Sequence, residues 1–166
     1  VGGMGIGVST AILSTAGHEM GYHVQFLDKK GLAIRNGGVY SQIVFSRMQG
    51  DRAAAGGAKR PGGGFTTAVI PYGKTDLLLG VDLLEATRAI DPKHPYRVAS
   101  PDMTCAVVNT AKTPTILTLM GRDDFEPADL EQTLKTYTRD GCHFAFNVGD
   151  LCERLLDSKL YANIMM

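Results

Sequence analysis

The sequence has no surplus of charge of either sign. Seventeen Lys and Arg stand against seventeen Asp and Glu, so the chain lacks the cationic excess that holds proteins on phosphate backbones or anionic lipid. Nucleic acid is therefore not an expected partner. There is no apolar run near the roughly 18 residues of a membrane span. The opening Val1-Gly-Gly-Met-Gly5 has neither the basic end nor the apolar core of a secretory signal. No membrane association is expected, and a cytoplasmic location is. The three cysteines, Cys105, Cys142 and Cys152, are odd in number and nowhere two residues apart, which excludes a full disulfide framework and a zinc or iron–sulfur cassette. They read as reduced core thiols. There is also no Gly-x-Ser-x-Gly elbow, and none of His18, His23, His94 and His143 has a second ligand at metal spacing. Neither a catalytic residue nor a metal site is expected in the chain.

What is present is one domain's worth of packing material. The 166 residues are 44% apolar and 20% charged, enough for a single core over residues 1–166 and too little for two of ordinary size. Glycine is unevenly spread. Six lie between Gly50 and Gly64 with almost no large apolar side chain between them, so residues 47–65 are expected to be a mobile loop inside the domain.

Around that loop the apolar pattern changes period. Ile6, Leu13 and Met20, with small Thr10 and Gly17 between them, fit a helix pressed closely on a sheet and stopped at Gly21. Residues 23–27 and 39–46 alternate as strands, the second open to antiparallel pairing after the turn at Gly37-Gly38. Short apolar runs at 66–70, 77–81, 104–108 and 143–146 suit strands of a parallel sheet. Asp82 with Glu85 and Asn147 are positioned as helix caps, Pro127 opens a helix, and Leu151, Leu155 and Leu156 form the inner face expected of the last one. Strands alternating with helices predict an α/β fold, a three-layer α/β/α open, mostly parallel Rossmann-like sheet with one mixed edge. A strand preceding the first glycines is expected and missing.

In such a sheet ligands bind beyond the carboxyl ends of the strands. The residues that stop strands, or precede the first helix, are Gly2, Gly3 and Gly5, then Asp28, Asp82 with Glu85, Asn109 with Thr110, and Asn147. Glycines before a helix let backbone amides approach a phosphate; close packing of helix on strand explains them as well. Asp28 stands about where a ribose-binding carboxylate would follow a second strand, yet the full G-x-G-x-x-G spacing is not there. Asp82 and Glu85 are a helix cap or an acid–base pair, the cap being the commoner role. Arg35, Asn36 and Gly37, in Gly31-Leu-Ala-Ile-Arg-Asn-Gly-Gly-Val39, either present a cation and an amide to a ligand or neighbouring subunit, or simply form a tight turn into a hairpin.

Four segments in order, Val1-Gly-Gly-Met-Gly-Ile-Gly7, Phe26-Leu-Asp-Lys-Lys-Gly-Leu-Ala-Ile-Arg-Asn-Gly-Gly-Val39, Asp76-Leu-Leu-Leu-Gly-Val-Asp-Leu-Leu-Glu-Ala86 and Ala106-Val-Val-Asn-Thr110, with the ending Tyr161-Ala-Asn-Ile-Met165, resemble the gamma-type domain of the 2-oxoacid:ferredoxin oxidoreductases, most of all those acting on indolepyruvate. The resemblance spans nearly the whole chain and departs at the glycine-rich segment 50–64, at the missing first strand and at the extra Gly7. It implies oxidative decarboxylation of a 2-oxoacid to an acyl-coenzyme A, with electrons passing to ferredoxin. It further implies that thiamine diphosphate, Mg and iron–sulfur clusters reside in partner thiamine-binding and ferredoxin-like domains or subunits, and that coenzyme A is the co-substrate. This chain would bind none of the cofactors alone and would be inactive in isolation. A stand-alone NAD-binding dehydrogenase domain and a purely structural scaffold are the alternatives.

Overall fold

The computed structural model describes residues 4–29, 38–47, 67–94, 97–114, 116–122 and 124–166. Helix α1 (Ile6–Glu19) begins after Gly5, whose φ of 72° only glycine adopts readily, and ends before Gly21 at φ 82°. Thr10 and Gly17 are its buried residues. A Cβ on Gly17 would strike the Phe45 ring and come 3.1 Å from Val24 Cγ2, so the missing side chain is what lets the helix lie close on the strands. Met20 is 72% exposed; the close contact runs through the small residues and not through the whole expected Ile6–Leu13–Met20 stripe.

The strands under α1 are β1 (Tyr22–Lys29) and β2 (Tyr40–Arg47), antiparallel and in register from Tyr22 opposite Arg47 to Lys29 opposite Tyr40. A parallel sheet follows in the order β3 (Leu77–Gly80), β4 (Cys105–Asn109), β5 (His143–Phe146). Its helices are α2 (Leu83–Arg88), α3 (Ile116–Leu119), α4 (Pro127–Thr136), α5 (Val148–Leu156) and, after a 3-10 turn at Lys159–Tyr161, α6 (Ala162–Met165). The chain is thus α/β with a parallel sheet. The mixed edge expected on one sheet is instead, among the described residues, a separate two-stranded antiparallel sheet.

One face of the parallel sheet is covered. Leu78, Ala106 and Val108 pack with Leu83, Ala86 and Ile90 from α2 and its C-terminal extension, and with Leu130, Leu134 and Tyr137 from α4 and its C-cap. Gly80 permits the approach, since a Cβ there would lie 2.8 Å from Ala86 Cβ. The other face carries the alternate residues: Leu77 and Phe144 are 52% and 56% exposed, and Phe146 is exposed beside them.

Two expected elements differ. Residues 67–70 form no strand: Val69 N–H donates to Thr67 Oγ1 and Ile70 N–H to Gln42 Oε1, so side chains take the backbone groups that a ladder would use. Helix α5 buries Val148, Gly149 and Cys152, whereas Leu155 and Leu156 are exposed. The cysteines are all free thiols; Cys152 is buried, and Cys105 and Cys142 are only half-buried, so the core-thiol expectation holds for one of the three. The glycine-rich segment lies almost wholly outside the described residues. No helix among the described residues is long and apolar enough to cross a membrane.

Candidate functional site

The carboxyl ends of β3, β4 and β5 come together around Asn109. Its side chain is buried and spans all three tips: Nδ2 donates to Val81 O beyond β3 at 3.1 Å, and Oδ1 accepts from Val148 N beyond β5 at 3.1 Å and from Ala111 N at 3.1 Å. The backbone continues the clamp, with Thr110 N–H donating to Phe146 O at 3.0 Å. An amide carries both a donor and an acceptor, which is why this residue type can hold unlike groups from two neighbouring strands.

Asp82 and Asn147 sit on either side and cap the helices that leave the rim. Asp82, 4% exposed, accepts from Glu85 N at 2.9 Å, and Asn147 Oδ1 accepts from Asp150 N at 3.1 Å. Glu85 turns to Arg88 at 2.6 Å. A Cβ on Gly38 would lie 2.6 Å from both Arg88 Nη1 and Glu85 Oε2. The start of β2 therefore rests directly on α2, and Gly38 is the residue that follows Arg35-Asn36-Gly37 in the chain. Asp82 and Asn109 thus use their polar side-chain atoms to fix the rim's backbone, while the Glu85 carboxylate is taken by Arg88.

The other expected site residues fall elsewhere. Asp28 stands opposite Ser41 in the hairpin; its Oδ1 and the Ser41 Oγ are shielded from solvent and have no hydrogen-bond partner among the described residues. Such orphaned atoms call for a donor that the described chain does not provide. Gly5 packs against the C-terminal segment: its carbonyl accepts from Asn163 Nδ2 at 3.2 Å, and Ser9 Oγ donates to Asn163 O at 2.8 Å. Its missing Cβ makes room for Asn163, so the described part of the glycine turn serves close packing, and α1 starts without a side-chain cap. Gly2, Gly3, Arg35, Asn36 and Gly37 lie outside the described residues.

An open depression lined by Met20, Gly21, Tyr22 and Arg47 sits at the other end of α1 from Gly5 and involves none of these residues. Among the described residues no group of three or more His, Cys, Asp or Glu could hold a metal ion. What residue spacing did not reveal is the bridging role of Asn109, which depends on β3 and β5 flanking β4. Comparison of the chain with protein-family models, with curated proteins and with solved structures finds no match.

Proposed function

We propose that this chain is a gamma-type domain or subunit of a 2-oxoacid:ferredoxin oxidoreductase, of the kind that takes indolepyruvate or another arylpyruvate. In this reading it completes the assembly and the surroundings of the active site, and partner domains carry thiamine diphosphate, Mg and the iron–sulfur clusters. The observation that carries the reading is the apolar face of the parallel sheet that no element among the described residues covers, where Leu77, Phe144 and Phe146 are exposed. Parallel sheets are stable when both faces are covered, and an exposed apolar patch of this kind marks a contact surface. Covering it with a partner would complete the three-layer, Rossmann-like arrangement.

The segments that carry the resemblance also meet one another. Gly5 touches Asn163, Gly38 touches Glu85, and Val81 is bonded to Asn109. A rim whose carboxylate and amide are engaged in holding backbone shapes a surface, and no step is assigned to this chain through the thiamine or the clusters. Asp28 on an antiparallel hairpin also differs from the place of a ribose carboxylate on a parallel sheet, which weighs against the nicotinamide alternative.

The test is enzymatic. Affinity-tagged chain purified from its native cells should bring thiamine diphosphate with it and reduce ferredoxin or a viologen dye only when an arylpyruvate and coenzyme A are both supplied. The chain produced alone should be colourless and inactive. A chain that purifies without thiamine diphosphate, and that binds NAD with micromolar affinity lost in Asp28→Ala, would overturn the reading.

A further inference from the structure

At the amino end of the parallel sheet, away from the Asn109 rim, one arginine holds two sulfurs. Arg139 Nη2 lies 2.9 Å from Cys142 Sγ and 3.1 Å from Cys105 Sγ, and Arg139 Nε lies 3.3 Å from Cys142 Sγ. The two thiols thus share one guanidinium. The arrangement is built by local structure on both sides. Arg139 and Cys142 are the first and last residues of a turn closed by Cys142 N–H to Arg139 O at 3.0 Å, with Gly141 at φ 71° supplying the backbone that turn requires. The turn is pinned to β4 by Arg139 N–H to Thr104 O at 2.8 Å and by Ala106 N–H to Cys142 O at 2.8 Å. Because Ala106 pairs with His143 in parallel register, Cys105 and Cys142 stand side by side, one step before that pair. Adjacent strands run about 4.8 Å apart, within the Cα separation that a disulfide spans.

We propose that Cys142 and Cys105 form a thiol–disulfide exchange site, with Cys142 as the attacking thiolate, Cys105 as the resolving thiol and a low-molecular-weight disulfide as the substrate. Cys142 sulfur attacks one sulfur of that disulfide, forming a mixed disulfide and releasing one thiolate. Cys105 then loses its proton and attacks Cys142 sulfur, forming the Cys105–Cys142 bond and releasing the second thiol. Two electrons leave the pair and reduce the small disulfide to two thiols, and the protons of the dithiol pass to those products or to water.

The electrostatics distinguish the two roles. The Arg139 hydrogen bond, reinforced by one from Cys105, holds the Cys142 thiol below its ordinary range, the microenvironment that makes a cysteine reactive. Cys105 is pushed up, first by its bond to Cys142 and then by burial. Burial and, more weakly, the Asp140 carboxylate oppose the effect at Cys142 without reversing it. Neither cysteine is sealed in the core, and Arg139 is exposed, so a small disulfide has access. The site does not depend on the Asn109 rim, but it shares the sheet face of Leu77 and Phe144; a small disulfide reaches it in the chain whose face is free, and the test on the separate chain does not draw on the enzymatic reading.

The experiment uses the full, reduced chain treated with oxidised glutathione and followed by intact mass and peptide mapping. Wild type should end two hydrogens lighter, with Cys105 joined to Cys142 and no retained glutathione. Cys105→Ser should stop at one glutathione on Cys142. Arg139→Gln should move the pH profile of Cys142 alkylation by iodoacetamide to higher pH. Should a variant fold poorly, wild type alone still decides: at neutral pH Cys142 should be alkylated faster than Cys105, which is also half-buried. Equal alkylation rates at the two sites, or a wild-type product that keeps glutathione without an internal disulfide, would overturn the proposal.

Discussion

Asn109 is the residue on which the rim depends. Replacing it with Ala leaves Val81 O and Val148 N without their partner in a buried setting, and each orphaned group costs about 1–3 kcal/mol. Asn109→Ala should therefore lower stability by roughly 3 kcal/mol, a fall in Tm of about 6–12 °C for a chain of this length. Calorimetry showing a loss near zero would contradict the clamp. His143 makes a second prediction. Burial holds its pKa below the ordinary 6.5, so the unfolded chain binds a proton first. The folded state is fully favoured above about pH 6.5 and loses stability as pH falls toward the lower folded value. Thermal melts at about pH 7.5 and about pH 5.5 should show a larger drop for wild type than for His143→Gln; equal drops would count against it. At this scale the sequence is legible where a residue acts on its own neighbours, as with Asp82 and Asn147, whose capping bonds reach three positions ahead. It is not legible for Asn109 as a bridge or for Arg139 as a clamp on two sulfurs, because the partners are set by strand order.

Elements were readable where their boundaries are local chemistry. Gly21, Pro127 and the two caps mark helix ends in a single sequence because each acts through its own φ or its own hydrogen bond. The cap at Asp82 should contribute about 1 kcal/mol, the usual loss on Asp→Ala at such a position, measurable as a shift in urea midpoint with unchanged slope. The close approach of α1 to the hairpin gives a sharper test. A Gly17→Leu side chain must displace Phe45 and Val24, and overpacking of that kind costs about 1–3 kcal/mol; retention of full stability would show that the helix does not rest there. Two elements misled for physical reasons. At 67–70, Thr67 and Gln42 capture amides that β-branched residues would otherwise place in a ladder. In α5, Val148 and Cys152, four apart with Gly149 beside them, make the inner stripe; Leu151 is half-buried beside it, and Leu155 and Leu156 point outward.

For the whole molecule the decisive feature is asymmetry. Helices α2 and α4 cover one face of β3, β4 and β5, while Leu77, Phe144 and Phe146 on the other remain exposed. Alternation along each strand places these residues on one face, but it does not say what covers them, and it could not show that β1 and β2 would form a sheet of their own. The covering of that face by neighbouring polypeptide is what the proposed role in a larger oxidoreductase requires. The most direct measurement is therefore assembly of Phe144→Lys with Phe146→Lys, purified by tag from the native cells beside wild type. The account predicts a doubly substituted chain that keeps its circular dichroism and melts cooperatively, yet elutes as a monomer and carries no thiamine diphosphate, while wild type elutes in a large complex that does. A substituted chain that still enters a thiamine-bearing complex, or a wild-type chain that is itself a monomer without thiamine, would contradict it.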